Sequence, residues 1–265
     1  MQKSRWLKAV IFDVDGTLAE TERDGHRVAF NAAFKTLGLD WQWDEDLYGE
    51  LLKVTGGKER LAHFITYYFP PMPAGLAPAG LISAIHASKT AHYLRLVADG
   101  GMKLRPGVLR LIMECRETGI ALAIATTTTN ENVNILLDAT IGPDAPGWFK
   151  VIASGDIVRN KKPAPDIYLW ALERLQLEPY ECIAIEDSQN GLRASLSAGI
   201  PTVITISSFT GNEQFSGASL VVSDLGEPDK PSTVVAGNMF AKAYADLELL
   251  NCLVGDRAQH SLHHT

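Results

Sequence analysis

Cysteine is scarce in this chain: Cys115, Cys182 and Cys252 are spread over 265 residues. An odd, widely spaced set makes neither a disulfide framework nor a thiolate metal site. It fits reduced core or surface thiols in a cytosolic protein. Excess basic charge is also missing. The formal net charge is −7, which argues against a nucleic-acid or anionic-membrane face but leaves room for a small anion held by a few local cations. No apolar run approaches the roughly 20 residues of a membrane helix. Too few residues precede the first apolar run for a targeting segment. The expectation is a cytoplasmic monomer, or a plastid stromal one if a transit peptide has been removed, with neither nucleic acid nor membrane as partner.

What is present suffices for one large core carrying a smaller insert: 46% of residues are hydrophobic and 21% charged, an ordinary globular balance. Short apolar runs rich in Val, Ile and Ala recur at residues 9–12, 121–125, 151–153, 182–185, 202–206 and 220–222. Such runs suit strands buried on both faces. Amphipathic stretches at 106–117, 165–175 and 190–198 separate the later ones and read as helices. The alternation predicts an α/β fold with a doubly wound, mainly parallel, Rossmann-like sheet.

One gap breaks the alternation. Between residues 18 and 96 no strand is evident, and helical patterns occupy 22–37, 44–52, 58–68 and 79–96. A Pro/Gly-rich connection, "PPMPAGLAPAG", joins the last two. The prediction is an all-helical cap over 19–95, inserted into a core of 1–18 and 96–265, with hinges near Leu18 and Gly100. The tail from Gly226 reads as a loop followed by one helix over 234–250. His260, His263 and His264 read as a frayed terminus rather than a metal site.

In open α/β sheets ligands bind beyond the carboxyl ends of the strands. The first run ends in "DVDGT", with Asp13 and Asp15. The second ends in "TTTTN", beginning at Thr126. The third is followed by Ser154, Gly155 and Asp156, then by "KKPAPD" with Lys162. The fourth ends in Glu186 and Asp187. Acid, hydroxyl, base and acid are thus predicted to meet at one sheet edge. Asp13, Asp187 and Glu186 are hard oxygen ligands suited to Mg²⁺. Thr126 can hydrogen-bond a phosphate oxygen, and Lys162 can neutralise phosphate and restrain the carboxylates; Lys161 is the alternative. Without such cations, close carboxylates repel and protonate. The set describes phosphoryl transfer. Residues i and i+2 of a strand point the same way, so Asp13 and Asp15 can flank one phosphorus, and Gly16 permits a tight turn beside it.

These four motifs, in this order, resemble the signatures of the haloacid dehalogenase superfamily over nearly the whole chain. The resemblance implies that Asp13 is the nucleophile, forming an aspartyl-phosphate. It implies that Asp15 is the general acid and then base, entering the reaction protonated while metal contact keeps Asp13 ionised. Thr126 and Lys162 assist, and Mg²⁺ is held by Asp13, Asp187, Glu186 and the Asp15 backbone carbonyl. Within the superfamily, "DVDGTLAETERDGHRVAFN", "WDEDLYGELLKVTGGKERL", "LRPGV" and "KKPAPDIY" resemble CbbY-type sugar phosphatases, in particular their plant and cyanobacterial branch. That likeness implies hydrolysis of xylulose-1,5-bisphosphate, an inhibitor of Rubisco. The cap motif "TGGKER" is then expected to read the substrate: Gly56 and Gly57 by close backbone approach, Lys58 and Arg60 by clamping the second phosphate. Glu20, His26 and Thr127 complete the expected substrate contacts.

Blander readings compete. Asp13 and Asp15 alone could be a strand-to-turn pair or the cation site of a nucleotide-sugar glycosyltransferase. Neither predicts the later lysine, the acidic pair or the helical insert. Lys58 and Arg60 could lie on an exposed helix face, and His26 could be a satisfied core histidine. A β-phosphoglucomutase and a phosphoglycolate phosphatase share the motifs. A catalytically silent phosphate-binding protein would keep the fold without the turnover.

Overall fold

The computed structural model describes residues 6–72, 77–155 and 157–262, with side chains through residue 255. Asp156, residues 73–76 of the Pro/Gly-rich connection, His263, His264 and the side chain of His260 lie outside the described residues.

The first strand, β1 (Ala9–Phe12), is followed by helices α1 (Arg27–Thr36), α2 (Glu45–Leu51), α3 (Gly57–Tyr68) and α4 (Pro78–Ala98). Alternation then resumes with α5 (Val108–Thr118), β2 (Ala121–Ala125), α6 (Asn130–Thr140), β3 (Phe149–Ala153), α7 (Asp166–Leu175), β4 (Cys182–Glu186), α8 (Gln189–Ser197) and β5 (Thr202–Thr205). The chain continues through β6 (Leu220–Val222) and β7 (Val234–Gly237) to α9 (Leu247–Leu262). Among the described residues the strands form one sheet in the order β3-β2-β1-β4-β5-β6-β7. All neighbours run parallel except β6 and β7. The chain leaves β1 toward β2 and β3 on one side and returns to β4 on the other. That makes β1 the switch point, where a crevice opens at the strand ends.

Period-two sorting within the apolar runs builds both layers. Val10, Phe12, Leu122, Ile124, Ile183 and Ile185 point to the face covered by α5, α6 and α9. Ala9, Ile11, Ala123, Ala125 and Ala184 point to the other face, against α7 and α8. The smaller alanines there leave room for Tyr168 and Leu172 of α7, as close packing requires. The insert has its own apolar cluster: Phe30, Phe34, Trp43, Tyr48 and Phe64 are buried together. The Trp43 ring sits 4.7 Å from Phe30 and 5.0 Å from Phe34, centroid to centroid. Among the described residues no helix is long and apolar enough to cross a membrane.

Two expectations need correction. Residues 22–26 are not ordinary helix: Glu22–His26 form a π-helical turn ahead of α1. The tail does not form one helix over 234–250. Val234–Gly237 instead adds the antiparallel edge strand β7 to β6, and the helix starts at Leu247, where the Asp246 side chain accepts from the Leu249 amide at 2.8 Å. Adjacent valines favour a pleated edge over a helix, and Asp246 supplies an acceptor at the helix start. The helix α6 and strand β7 had not been anticipated.

Candidate active site

Asp13 is the first residue after β1, and its amide donates to the Ile185 carbonyl at 2.9 Å, as the parallel ladder continues. Its carboxylate is buried. Lys162, on the loop before α7, donates to Asp13 Oδ1 at 2.6 Å, Glu186 Oε1 at 2.6 Å and the Ala125 carbonyl at 2.9 Å. All three donor positions of the ammonium are therefore used. Tyr168 of α7 donates to the same Glu186 oxygen at 2.5 Å. Asp187 follows directly, its carboxyl lying against Gly16. A side chain at Gly16 would strike that group, and φ there is +80°. Only glycine combines this backbone with this approach.

Oxygens of Asp13, Glu186 and Asp187 all lie within 4.8 Å of one another. Burial, then the Glu186 and Asp15 charges, pushes the Asp13 carboxyl up to about 8 against the pull of Lys162. Burial, then Asp13 and Glu186, raises Asp187 well above the carboxylate range. Lys162 is raised instead, because its two carboxylate partners outweigh its own desolvation. One ammonium contacts two of these three buried acids, and among the described residues Glu186 Oε2 has no hydrogen-bond partner. This donor set fits a small divalent cation with oxygen ligands, and Mg²⁺ in particular.

Asp15 faces a different set of groups. Its Oδ1 accepts from Thr21 Oγ1 at 2.5 Å and lies 3.0 Å from His26 Nε2. His26 Nδ1 lies 2.9 Å from the ammonium of Lys89. Lysine only donates, so Nδ1 accepts and Nε2 carries the proton toward Asp15. Lys89 is buried over the Phe30 and Tyr93 rings, and this burial pushes it down to about 8. Burial alone would raise Asp15, but His26, Thr21 and Lys89 hold it down at about 2. Two donors aimed at one carboxylate oxygen favour the ionised form of Asp15 while no substrate is bound.

Thr126 is buried just past β2, its amide bonded to the Ala153 carbonyl at 2.9 Å and its Oγ1 accepting from the Thr128 amide at 3.3 Å. The crevice has two lobes that share Asp15, Glu22, Gly56, Arg60 and Thr127. The inner lobe contains Asp13, Lys162 and Asp187. The outer lobe contains His26, Gly57, Lys58, His86, Lys89 and Lys161. The insert closes over both. Asn190 Nδ2 donates to Thr55 Oγ1 at 3.2 Å, and Lys161 pairs with Glu59 at 2.9 Å.

The structure thus lines one crevice with Asp13, Asp15, Lys162, Asp187, Thr127, His26, Gly56, Gly57, Lys58 and Arg60, while Glu186, bonded to Lys162, and Thr126 are buried outside that lining. Arg60 is buried rather than extended into the lobe: it donates to Tyr48 Oη at 2.9 Å, and Tyr48 donates to Glu22 Oε2 at 2.5 Å. Glu20 lies apart from both lobes. It pairs with Arg105 at 3.3 Å and accepts from the Ser208 amide and hydroxyl at 3.2 and 2.8 Å, and it lines a separate depression with Met102 and Asp224. Thr21, Lys89, Tyr168, Tyr48, Glu22 and His86 escaped the sequence reading. Of these, Lys89 left a signal: a cation on the buried, apolar stripe of α4.

A family model for haloacid dehalogenase-like hydrolases matches residues 7–199. The protein CbbY of Cupriavidus necator, plasmid-encoded, is 53% identical over 225 residues, covering 85% of this chain and 88% of its own length. A CBBY-like protein of Arabidopsis thaliana is 38% identical over 223 residues, covering 83% of this chain and 70% of its own. The crystal structure of a mutant CbbY from Rhodobacter sphaeroides in complex with xylulose-(1,5)bisphosphate is 47% identical, with a TM-score of 0.77. The match covers 82% of this chain and 94% of that one.

Proposed function

The chain belongs to the haloacid dehalogenase-like hydrolases and is a phosphatase, and from that premise we propose that it removes one phosphate from a sugar bisphosphate, xylulose-1,5-bisphosphate, through an aspartyl-phosphate on Asp13. The observation that carries this reading is the two-lobed crevice with Asp15 at its junction. A nucleophile and a cation site lie on one side, and a second set of cations lies on the other. Such a layout suits a ligand with phosphates at both ends. The relative crystallised with xylulose-(1,5)bisphosphate supports the choice of sugar.

Asp13 attacks phosphorus, and the bond to the sugar oxygen breaks as that oxygen takes a proton from Asp15. Asp15 takes up that proton as the substrate binds, because the substrate's negative charge raises a neighbouring carboxyl. Water then attacks the aspartyl-phosphate, Asp15 takes its proton, and phosphate leaves Asp13. Lys162 keeps the Asp13 oxygen aligned and offsets charge on the phosphoryl group, and the Thr126 hydroxyl donates to a phosphoryl oxygen. Asp13, Asp187, Glu186 and the Asp15 carbonyl would hold Mg²⁺, which when bound would supply positive charge that favours an ionised Asp13 and offsets charge on the phosphoryl group. Residues 19–95 act as a cap that opens and closes on hinges near Leu18 and Gly100, excluding water when shut.

The test is phosphate release, with Mg²⁺, from a panel of sugar mono- and bisphosphates and a small aryl phosphate. The pentulose bisphosphate is expected to give the highest kcat/KM, and Asp13→Asn to abolish release from every ester. Lys58→Glu should raise KM for the bisphosphate far more than for the aryl ester. Equal kcat/KM for all esters would reject the substrate, and phosphate reappearing on the sugar would indicate a mutase.

A further inference from the structure

The arginine of "LRPGV" takes no part in the reaction described above, yet it is buried and bonded to chain segments that meet at Asp187. Arg105 stands where the chain re-enters the core after the insert, its amide donating to the Leu18 carbonyl at 2.8 Å. Its Nη1 donates to the Gly16 carbonyl and lies 3.0 Å from the Thr205 carbonyl and 3.1 Å from Thr205 Oγ1. Its Nη2 donates to the carbonyls of Ile206 at 2.5 Å and Ser223 at 2.8 Å. Its Nε faces the Glu20 carboxylate at 3.3 Å. All five N–H groups of the planar fork thus have acceptors. They lie on the loop after β1, past the ends of β5 and β6, and at the start of the insert.

Two of these segments make the seat of Asp187. A side chain at Gly16 would collide with the Asp187 carboxyl and stand 3.1 Å from Ser207 Cβ, so the three groups meet at one point. The Ser207 hydroxyl hydrogen-bonds that carboxyl. Arg105 holds Gly16 itself and Ile206, the residue before Ser207. We propose that Arg105 is a positioning residue for the cation site: by gripping Gly16 and Ile206 together, its guanidinium sets the aim of the Asp187 carboxylate. The inference rests on the reading of Asp187 as a ligand of the divalent cation and adds what holds that ligand in place. Lysine cannot substitute, because a compact ammonium lacks the rigid fork that spans carbonyls on separate segments.

Mn²⁺ takes the same hard oxygen ligands as Mg²⁺, and its free form is counted by electron paramagnetic resonance. It is titrated, without substrate, into the native protein, Asp187→Asn, Arg105→Lys and Arg105→Gln, after circular dichroism has shown which variants fold. Groups that orient metal ligands are worth about 10–100-fold in affinity. Both Arg105 variants should therefore bind Mn²⁺ about tenfold or more weakly, at unchanged stoichiometry. The Mg²⁺ concentration that half-activates phosphate release should rise by the same factor, and activity should recover as Mg²⁺ saturates. A merely structural role would instead lower the number of sites per chain and leave the Kd of the remainder unchanged. That result, native affinity in either variant, or failure of both to fold would overturn the proposal while the cation reading stands. If the native protein binds no Mn²⁺, or Asp187→Asn binds it equally well, the cation reading falls and the positioning role with it.

Discussion

Replacing Lys162 by methionine tests the charge balance at the bottom of the crevice. The substitution keeps most of the buried stem and deletes an ammonium that holds two carboxylates at 2.6 Å and a carbonyl at 2.9 Å. Breaking a buried pair from one side costs about 3–5 kcal/mol, because the remaining charge has no compensation. An abandoned carboxylate can escape by taking up a proton. For an ordinary carboxyl with a pKa near 4, that costs about 1.4 kcal/mol per pH unit above it, roughly 4 kcal/mol at pH 7 and about 2 kcal/mol at pH 5.5. The deficit of the variant, in chelator, should therefore be about 3–4 kcal/mol at pH 7 and about half that at pH 5.5. The sign follows from linkage: the variant's folded state holds a proton that the unfolded chain has released, so its stability falls as pH rises above about 4. Asp13, already raised to about 8 beside Lys162, contributes the same slope to both proteins and cancels in the comparison. Urea midpoints at the two pH values measure the gap. A gap below about 1 kcal/mol at pH 7, or one that does not change with pH, would refute the argument that this lysine compensates buried acid.

Three other outcomes follow from the same geometry. Lys89 is held near 8 by burial, so the unfolded chain binds more protons between about pH 8 and 10; native stability should rise with pH there, and Lys89→Met should flatten the rise in urea midpoints. Asp15, held at about 2 chiefly against burial by His26, contributes stability that is present above about pH 4 and lost as pH falls through 2; His26→Asn should move the acid-unfolding midpoint upward. Gly16→Ala places a side chain on the Asp187 carboxyl in a backbone of φ +80°, costing about 1–2 kcal/mol from conformation alone; phosphate release should fall at least about a hundredfold, and retention of more than a tenth of the activity would contradict the close approach.

Much of the fold was legible in local pattern. Residues 9–12, 121–125 and 220–222 are strands within the boundaries their apolar runs suggested, because a strand buried on both faces must be apolar throughout. The tail was misread where local pattern was weak. Val234 and Val235 are exposed on the edge strand, so no burial rhythm distinguished strand from helix there.

By itself, the sequence determined which polar residues follow each strand, and a parallel sheet gathers all strand ends on one edge. Asp13, Thr126, Lys162, Glu186 and Asp187 could therefore be placed together without coordinates, although Lys162 and Asp13 are 149 residues apart. The cap obeys no such rule. Only the tertiary structure decided that Lys89 reaches His26 across 63 residues, that Arg60 turns inward to Tyr48, that Glu20 pairs with Arg105, and that Thr21 and His26 both face Asp15 Oδ1. Each depends on how helices rotate and cross against one another, which side-chain packing sets and periodicity alone leaves open.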